Sequence, residues 1–368
     1  MKKEDLRIVF MGTPEFAVES LKRLVEGGYH VVAVVTQPDK PVGRHQDTLQ
    51  PSQVKQYALS QNLPVLQPVK MKDPAFVEEL RSYQADLQVV VAFRMLPEVV
   101  WSMPRLGTFN VHAALLPQYR GAAPINWAVI NGETETGVTT FFLDHDIDTG
   151  RIIMQKRFPI PDTADVEYVY DGLMHLGAEL AIETIDALLE ADGDIKSMPQ
   201  EKLIGEGVEL KPAPKIFKDT CRIDFHKPAK QVYDFVRGLS PYPGAWTELK
   251  KKAPVIMMED EDVAAENVEL DADGFPKPSS HPARKKSVEK VQVLKIFKTW
   301  KTHLSRGFAP VGSLRIEDKH LQVACEDEWL DILELQLSGK KRMEASAFLN
   351  GMKDIAYYEC MKSTSEDF

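Results

Sequence analysis

The chain has 368 residues, 43% of them apolar and 27% charged, a composition that supports a sizeable core and a length that favours two domains. Its three scattered cysteines exclude a disulfide framework or a cysteine zinc site and fit a reducing cytoplasm, and no apolar run is long enough to predict a membrane segment. The formal net charge of −10 argues against a protein that coats nucleic acid, while leaving room for a local basic face.

The first half of the chain alternates short apolar runs with amphipathic segments. Thr13 and Pro14 are the expected N-cap and first position of the first helix, which ends at Gly27-Gly28. This alternation predicts an α/β, Rossmann-like, mostly parallel sheet with helices on both faces. The predicted strands are 8–12, 31–35, 87–93, 109–112 and 138–143, and the predicted helices are 13–26, 51–60, 73–83 and 166–191.

The second half carries a different pattern. Residues 201–220 lose periodicity and contain prolines and lysines, which indicates a linker between domains at 1–200 and 221–368. Beyond it, short segments with period-two alternation predict a small, OB-like β-barrel, and 258–286 is an excursion out of that barrel. The predicted strands are 246–249, 291–296, 313–316, 320–324 and 330–335, and the predicted helices are 232–239 and 343–350.

The most informative polar residues follow predicted strands. Asn110 and His112 share one face of their strand, and a turn follows it, so both side chains are expected in the crevice at the sheet's carboxyl edge. Asp148 follows a later strand to the same edge. Amide, imidazole and carboxylate together suit transfer of an acyl group to an amine. His145 and Asp146 are alternatives to His112 and Asp148, and periodicity does not choose between the two carboxylates.

Other chemistries lack a motif. The turn at 12–14 is not a Gly-x-Gly-x-x-Gly dinucleotide loop, and the chain has no Walker loop, no nucleophile elbow and no His/Cys group with metal-ligand spacing. We therefore expect no metal, and direct attack by a substrate amine rather than a covalent intermediate on the enzyme.

Taken together, several motifs resemble the methionyl-tRNA formyltransferase family over essentially the whole chain. No single motif is specific, but the set is. The motifs are IVFMGTPEFA at 8–17, TQPDKPVGR at 36–44, NVH at 110–112, LLP at 115–117, RGAAPI at 120–125, DTG at 148–150, RIDF at 222–225, PYPGAW at 241–246 and QLSGKKRM at 336–343.

The resemblance implies a formyl donor, 10-formyltetrahydrofolate, and an acceptor, the α-amino group of initiator methionyl-tRNA, in a cytoplasmic monomer. It implies that Asn110 and His112 stabilise the oxyanion, while Asp148 holds His112, favours its protonated form and carries a water that takes the amine proton. The implied folate-binding residues are Ala92, Phe93, Arg94, Met95 and Leu96 on one wall and Ala114, Leu115, Leu116 and Pro117 on the other. The implied tRNA-binding residues are Lys40, Arg44, Lys340, Lys341 and Arg342.

The chain also departs from the family pattern. Ala114 stands where the family has serine, Phe93-Arg94 replace Tyr-Gly, and 45–47 lack the usual lysines. None of these changes removes a proposed catalytic group. Two alternatives stay open: a formyltransferase acting on an amino-sugar nucleotide or another small amine, and a non-catalytic module that binds tRNA or folate.

Overall fold

A seven-stranded sheet organises the N-terminal part of the chain. The computed structural model describes residues 2–42, 48–251, 291–352 and 354–361, with the backbone alone for Val42 and Thr48. The strand order is β5-β2-β1-β6-β7-β8-β9; pairing is parallel from β5 to β7 and antiparallel from β7 to β9. These strands are β1 (Ile8–Gly12), β2 (Val31–Val35), β5 (Val65–Leu66), β6 (Leu87–Val91), β7 (Thr108–His112), β8 (Glu135–Phe142) and β9 (Ile152–Pro159). A separate antiparallel hairpin joins β3 (Lys40–Val42) and β4 (Thr48–Gln50).

Helices cover both faces of this sheet, as predicted. Strand alternation sends Ile8 and Phe10 into one buried cluster with α1 and α6, and Val9 and Met11 into another with α3 and α4. Burial on both faces explains why the central strands are apolar throughout. The helices are α1 (Glu15–Glu26), α2 (Gln53–Ser60), α3 (Pro74–Ser82), α4 (Glu98–Trp101), α5 (Pro124–Ile130) and α6 (Val166–Glu190).

The structure differs from the predictions at the cap of α1 and at β9, and it also contains α4, α5 and the β3–β4 hairpin, which were not predicted. Pro14, not Thr13, occupies the N-cap of α1, with an extended backbone and no side-chain cap. The Thr13 hydroxyl instead accepts a hydrogen bond from the Gln37 backbone N–H at 3.4 Å, so it joins two strand ends. Strand β9 was missed altogether, because its irregular polar and apolar order belongs to a sheet edge exposed along most of one side.

The C-terminal part forms the predicted barrel. Its antiparallel strand order is β12-β13-β14-β11-β10-β16, with β15 beside β14, and a bridge between Ser313 and Glu359 closes the sheet around an apolar interior. The segment 258–286 lies outside the described residues. The elements are α7 (Ala229–Gly238), β10 (Ala245–Lys251), β11 (Gln292–Ser305), β12 (Leu314–Glu317), β13 (His320–Ala324), β14 (Glu328–Leu337), β15 (Met343–Glu344), α8 (Ala345–Gly351) and β16 (Tyr358–Cys360).

Helix α7 joins the two parts. Its Arg237 guanidinium donates to the Ala164 carbonyl at 2.8 Å, and the Tyr233 hydroxyl donates to the Asp162 carbonyl at 2.9 Å. The intervening segment contains 3-10 helices at Gln200–Leu203 and Asp219–Cys221. Among the described residues, no helix combines the length and the apolar character needed to cross a bilayer.

Candidate active site

The carboxyl edge of the sheet collects the residues singled out by sequence. Strands β6 and β7 are parallel neighbours with Val91 opposite Val111, so the segments that follow them leave the sheet side by side. Asn110 and His112 lie on one face of β7, and Asp148 lies in the connection between β8 and β9. The site is thus assembled from three chain segments at one edge.

His112 is oriented by a backbone carbonyl. The ring is 6% exposed, and its Nε2 lies 2.9 Å from the Tyr119 carbonyl oxygen. Because a carbonyl can only accept, Nε2 carries the proton and Nδ1 is left facing Asp148. Nδ1 and Asp148 Oδ2 are 3.9 Å apart, an ion-pair distance rather than a hydrogen bond. Sequence reasoning missed Tyr119, since a backbone atom leaves no signature in the residue type.

Asp148 is held in an uncommon backbone conformation. Its φ is +54°, and its Oδ2 accepts from the Gly121 backbone N–H at 3.0 Å. His145, the alternative imidazole, lies at the surface with its side chain 67% exposed and 3.8 Å from Glu98. Asp146 is exposed, and its backbone carbonyl accepts from the Thr149 hydroxyl. The structure therefore brings Asp148, and not Asp146, to His112.

Asn110 completes the group with an available donor. Its side chain is partly exposed, and it makes no hydrogen bond to any residue that the structure describes. A carboxamide offers two N–H donors, so it can bind an oxygen that gains negative charge.

The first predicted folate wall follows β6. Ala92 is exposed with a φ of +47°, Phe93 is half-buried, Met95 is 71% exposed and Leu96 is buried. The Arg94 guanidinium, the departure noted above, donates to the Pro68 and Val69 backbone carbonyls. Burial lowers the pKa of Arg94 from its ordinary value. Two of its five N–H donors are therefore used by backbone carbonyls, and its buried Nε has no hydrogen-bond partner among the described residues.

The second predicted wall is held by its backbone. Ala114 is fully buried in the core, Leu115 is half-buried, and Leu116 and Pro117 are buried. The Thr139 hydroxyl donates to the Ala114 carbonyl at 2.6 Å and accepts from the Leu116 N–H at 3.1 Å. The Ala114 methyl group faces the core. The hydroxyl that the family's serine would add is therefore missing on the core side of this wall.

Residues of the predicted linker run beside the site. The Lys211 carbonyl accepts from the Tyr119 N–H at 2.7 Å, and the Ala213 N–H donates to the Arg120 carbonyl at 2.8 Å. Gly121 has a φ of +127°, and a Cβ there would meet the Ala213 carbonyl oxygen at 2.4 Å. Only glycine fits this close approach. The segment that orients His112 is therefore paired with the linker.

The predicted tRNA residues are spread over two surfaces. Lys40 is exposed on the β3–β4 hairpin, and Arg44 lies outside the described residues. Lys340 and Lys341 are exposed near the end of β14. Arg342 forms a bidentate pair with Glu334 at 2.6 and 2.7 Å, which also raises the pKa of the guanidinium. Among the described members of this set, Arg342 alone is paired with a carboxylate.

The described part of the chain contains no group of three His, Cys, Asp or Glu side chains placed to hold a metal ion. The assembled groups are an amide donor, an imidazole oriented by the Tyr119 carbonyl and a carboxylate, all at the carboxyl edge of the sheet. This set can stabilise charge on a carbonyl oxygen and relay a proton, the two needs of acyl transfer to an amine.

Comparisons with known proteins agree with this chemistry. A formyl transferase family model matches residues 6–185, and a model of the formyl transferase C-terminal domain matches 215–353. Methionyl-tRNA formyltransferases of Parabacteroides distasonis and Phocaeicola vulgatus are each 59% identical, covering 97% and 96% of this chain and 99% and 98% of their own.

Solved structures share the fold at low identity. An N-formyltransferase from Helicobacter canadensis, in complex with folinic acid and dTDP-3-aminofucose, is 18% identical with a TM-score of 0.55 and covers 89% of this chain and 98% of its own. HypX from Aquifex aeolicus with tetrahydrofolic acid is 17% identical with a TM-score of 0.54, covering 95% of this chain and 48% of its own. Because the two relatives are 59% identical over nearly the full length of both chains, this chain belongs to the methionyl-tRNA formyltransferase family.

Proposed function

We propose that the chain transfers the formyl group of 10-formyltetrahydrofolate to the α-amino group of methionine on initiator tRNA. The observation that carries the proposal is the Asn110 amide, which has no hydrogen-bond partner among the described residues. It shares a face of β7 with His112, whose Nδ1 lies 3.9 Å from Asp148 Oδ2. The segment after β6 offers a folate co-substrate the exposed side chains of Ala92 and Met95, beside the strand end that carries Asn110 and His112.

Each group has a distinct task in this reaction. Asn110 donates an N–H to the formyl oxygen as the methionyl nitrogen bonds to the formyl carbon. His112, on the same face of β7, is the second group that stabilises this oxygen, and Asp148 lies 3.9 Å from its Nδ1 and holds the ring. Asp148, with a carboxylate 14% exposed, also lies where it can accept the amine proton through a water. The bond from the formyl carbon to the folate nitrogen then breaks, and that nitrogen takes up a proton.

Recognition of tRNA is proposed to use both parts of the chain. Lys40 is exposed on the hairpin between β3 and β4, and Lys340, Lys341 and Arg342 are exposed on the barrel. Arg44, which lies outside the described residues, belongs to this set through the sequence resemblance alone. Cations of this kind position a nucleic acid through its phosphates, so affinity should fall steeply with salt. The division into 1–200, 201–220 and 221–368, the monomeric state and a cytoplasmic location belong to the same proposal.

The deciding experiment compares acceptors. Purified protein with 10-formyltetrahydrofolate is offered charged initiator tRNA, free methionine or an amino-sugar nucleotide, and the formylated product is identified by mass spectrometry. We expect product from the charged tRNA alone, and a loss of about 100-fold or more in turnover for His112→Ala. Formylation of the sugar nucleotide instead would assign the alternative substrate, and unchanged turnover of His112→Ala would remove the proposed role of the imidazole.

A further inference from the structure

Gln200 is a buried amide that none of the motifs above includes. It begins the 3-10 helix Gln200–Leu203 and has no exposed surface. Its Nε2 donates to the Asp148 carbonyl and to the Gly150 carbonyl, both at 2.8 Å. Its Oε1 accepts from Arg120 Nε at 3.1 Å and from Arg120 Nη2 at 2.7 Å. Both N–H donors and both acceptor positions of the amide are therefore used.

The two carbonyls that Gln200 binds lie on either side of Thr149 in the turn that carries Asp148. Asp148 has a positive φ, a conformation that residues other than glycine keep only where the surroundings enforce it. The Gly121 N–H holds the Asp148 side chain, while Gln200 holds its backbone. Without the amide donors, two buried carbonyls would lose their partner and the turn could relax.

The Gln200 amide also connects the two loops that flank His112. Arg120 directly precedes Gly121, whose N–H binds Asp148, and follows Tyr119, whose carbonyl binds His112. Through its Oε1, Gln200 fixes Arg120 relative to the Asp148 turn. One side chain therefore sets the spacing between the carboxylate and the segment that orients the imidazole.

We propose that Gln200 is a positioning residue for catalysis, which fixes Asp148 relative to His112 without touching substrate. The proposal rests on the function proposed above. Gln200→Glu is the informative variant, because it keeps the shape and the acceptors for Arg120 but replaces both N–H donors with an oxygen that faces two carbonyls. A displacement of reacting groups by about 1 Å can cost about 100-fold in rate, so we expect a fall in kcat of that order with little change in either KM.

The experiment compares Gln200→Glu and the uncharged Gln200→Met with Ser197→Ala as the matched control. Ser197 lies in the same segment, and its hydroxyl accepts from the exposed Arg151 at 2.9 Å and makes no hydrogen bond to Asp148 among the described residues. Steady-state kinetics are measured on the full chain, alone and combined with Asp148→Asn. Hydrogen exchange over 146–150 and thermal unfolding are measured on the same proteins.

The proposal is supported if both Gln200 variants have a lower kcat while Ser197→Ala keeps the wild-type kcat. In the Asp148→Asn background the Gln200 variants should lower kcat no further, and amide hydrogen exchange over 146–150 should be faster than in wild type. The proposal is overturned if either folded variant keeps kcat within about twofold of wild type, or if the loss is as large in the Asp148→Asn background, as a purely structural role requires. If wild type itself formylates no tRNA, the proposed function fails, whereas the exchange experiment still shows whether Gln200 holds the turn.

Discussion

Thr139 offers a sharp test of how the second predicted folate wall, residues 114–117, is held in place. Its hydroxyl is fully buried on β8 and donates to the Ala114 carbonyl at 2.6 Å. It accepts from the Leu116 N–H at 3.1 Å and from Gln155 Nε2 at 2.9 Å. Thr139→Val keeps the shape of the side chain and removes all three hydrogen bonds, so it isolates the polar contribution from packing.

The size of the effect follows from those contacts. A hydrogen bond within a protein contributes about 0.5–1.5 kcal/mol net, so losing three lowers the free energy of unfolding by about 2–4 kcal/mol. Gln155 keeps its bond to the Leu116 carbonyl at 2.8 Å, which limits the loss. Without these hydrogen bonds, residues 114–117 should be held less firmly. Because they are the proposed folate contact, KM for 10-formyltetrahydrofolate should rise more than KM for charged tRNA.

Thr140→Val is the matched control. Thr140 is the next residue of the same strand, is equally buried, and shares one hydrogen bond of 2.9 Å with the Thr184 hydroxyl on the opposite face. Thr184 keeps its bond to the Leu180 carbonyl, so this variant should lose only about 1 kcal/mol and leave both KM values unchanged. Chemical unfolding and initial-rate kinetics measure both quantities. The reasoning is refuted if Thr139→Val and Thr140→Val lower the free energy of unfolding equally, or if the two variants have the same KM for 10-formyltetrahydrofolate.

Three further predictions address the oxyanion site, an ion pair between the domains and the thiols. Asn110→Asp should lower kcat by about 100–1000-fold with little change in KM, measured in the formylation assay, since it replaces a donor with an anion. A hydrogen bond from Lys301 lowers the pKa of Asp162, so this pair stabilises the fold above the ordinary carboxyl pKa of about 3.9 and is lost as pH falls through the folded value. The Asp162 side chain is 52% exposed, so Asp162→Asn should cost about 0.2–1 kcal/mol in chemical unfolding at pH 7, and progressively less below about pH 4. All three cysteines are buried and burial raises their pKa values, so a thiol reagent should modify none in the native protein at pH 8 and all three after unfolding.

Strongly periodic segments could be predicted from sequence, because their burial repeats with the geometry of the element. The runs at 8–12 and 31–35 became β1 and β2, and the pattern at 166–191 became α6, each within one residue. Strand β9 was missed because most of its residues are exposed or half-buried, so no apolar repeat marks it. The cap of α1 was misplaced by one residue. The fixed φ of proline fits the extended backbone that Pro14 has at the N-cap as well as the first helical position.

The site shows a similar division. His112 and Asp148 could be singled out because each is a polar side chain at a strand end, and the structure brings them within 3.9 Å. Tyr119 and Ala213 could not, because they act through backbone atoms that every residue type possesses. Gln200 gave one weak signal, an amide just before an aperiodic segment, but only the fold reveals that it is buried beside Asp148.

The linker therefore has a role that its composition does not suggest. Residues 209–213 hydrogen-bond to the loop at 118–123, which carries the carbonyl that orients His112 and the N–H that holds Asp148. A chain ending at residue 200 would keep every side chain of the catalytic group and lose these bonds, leaving backbone donors and acceptors of a partly buried loop without these partners. The same linker leads directly into α7 and the barrel. The geometry of the catalytic pair thus depends on residues 209–213, and not on the N-terminal part of the chain alone.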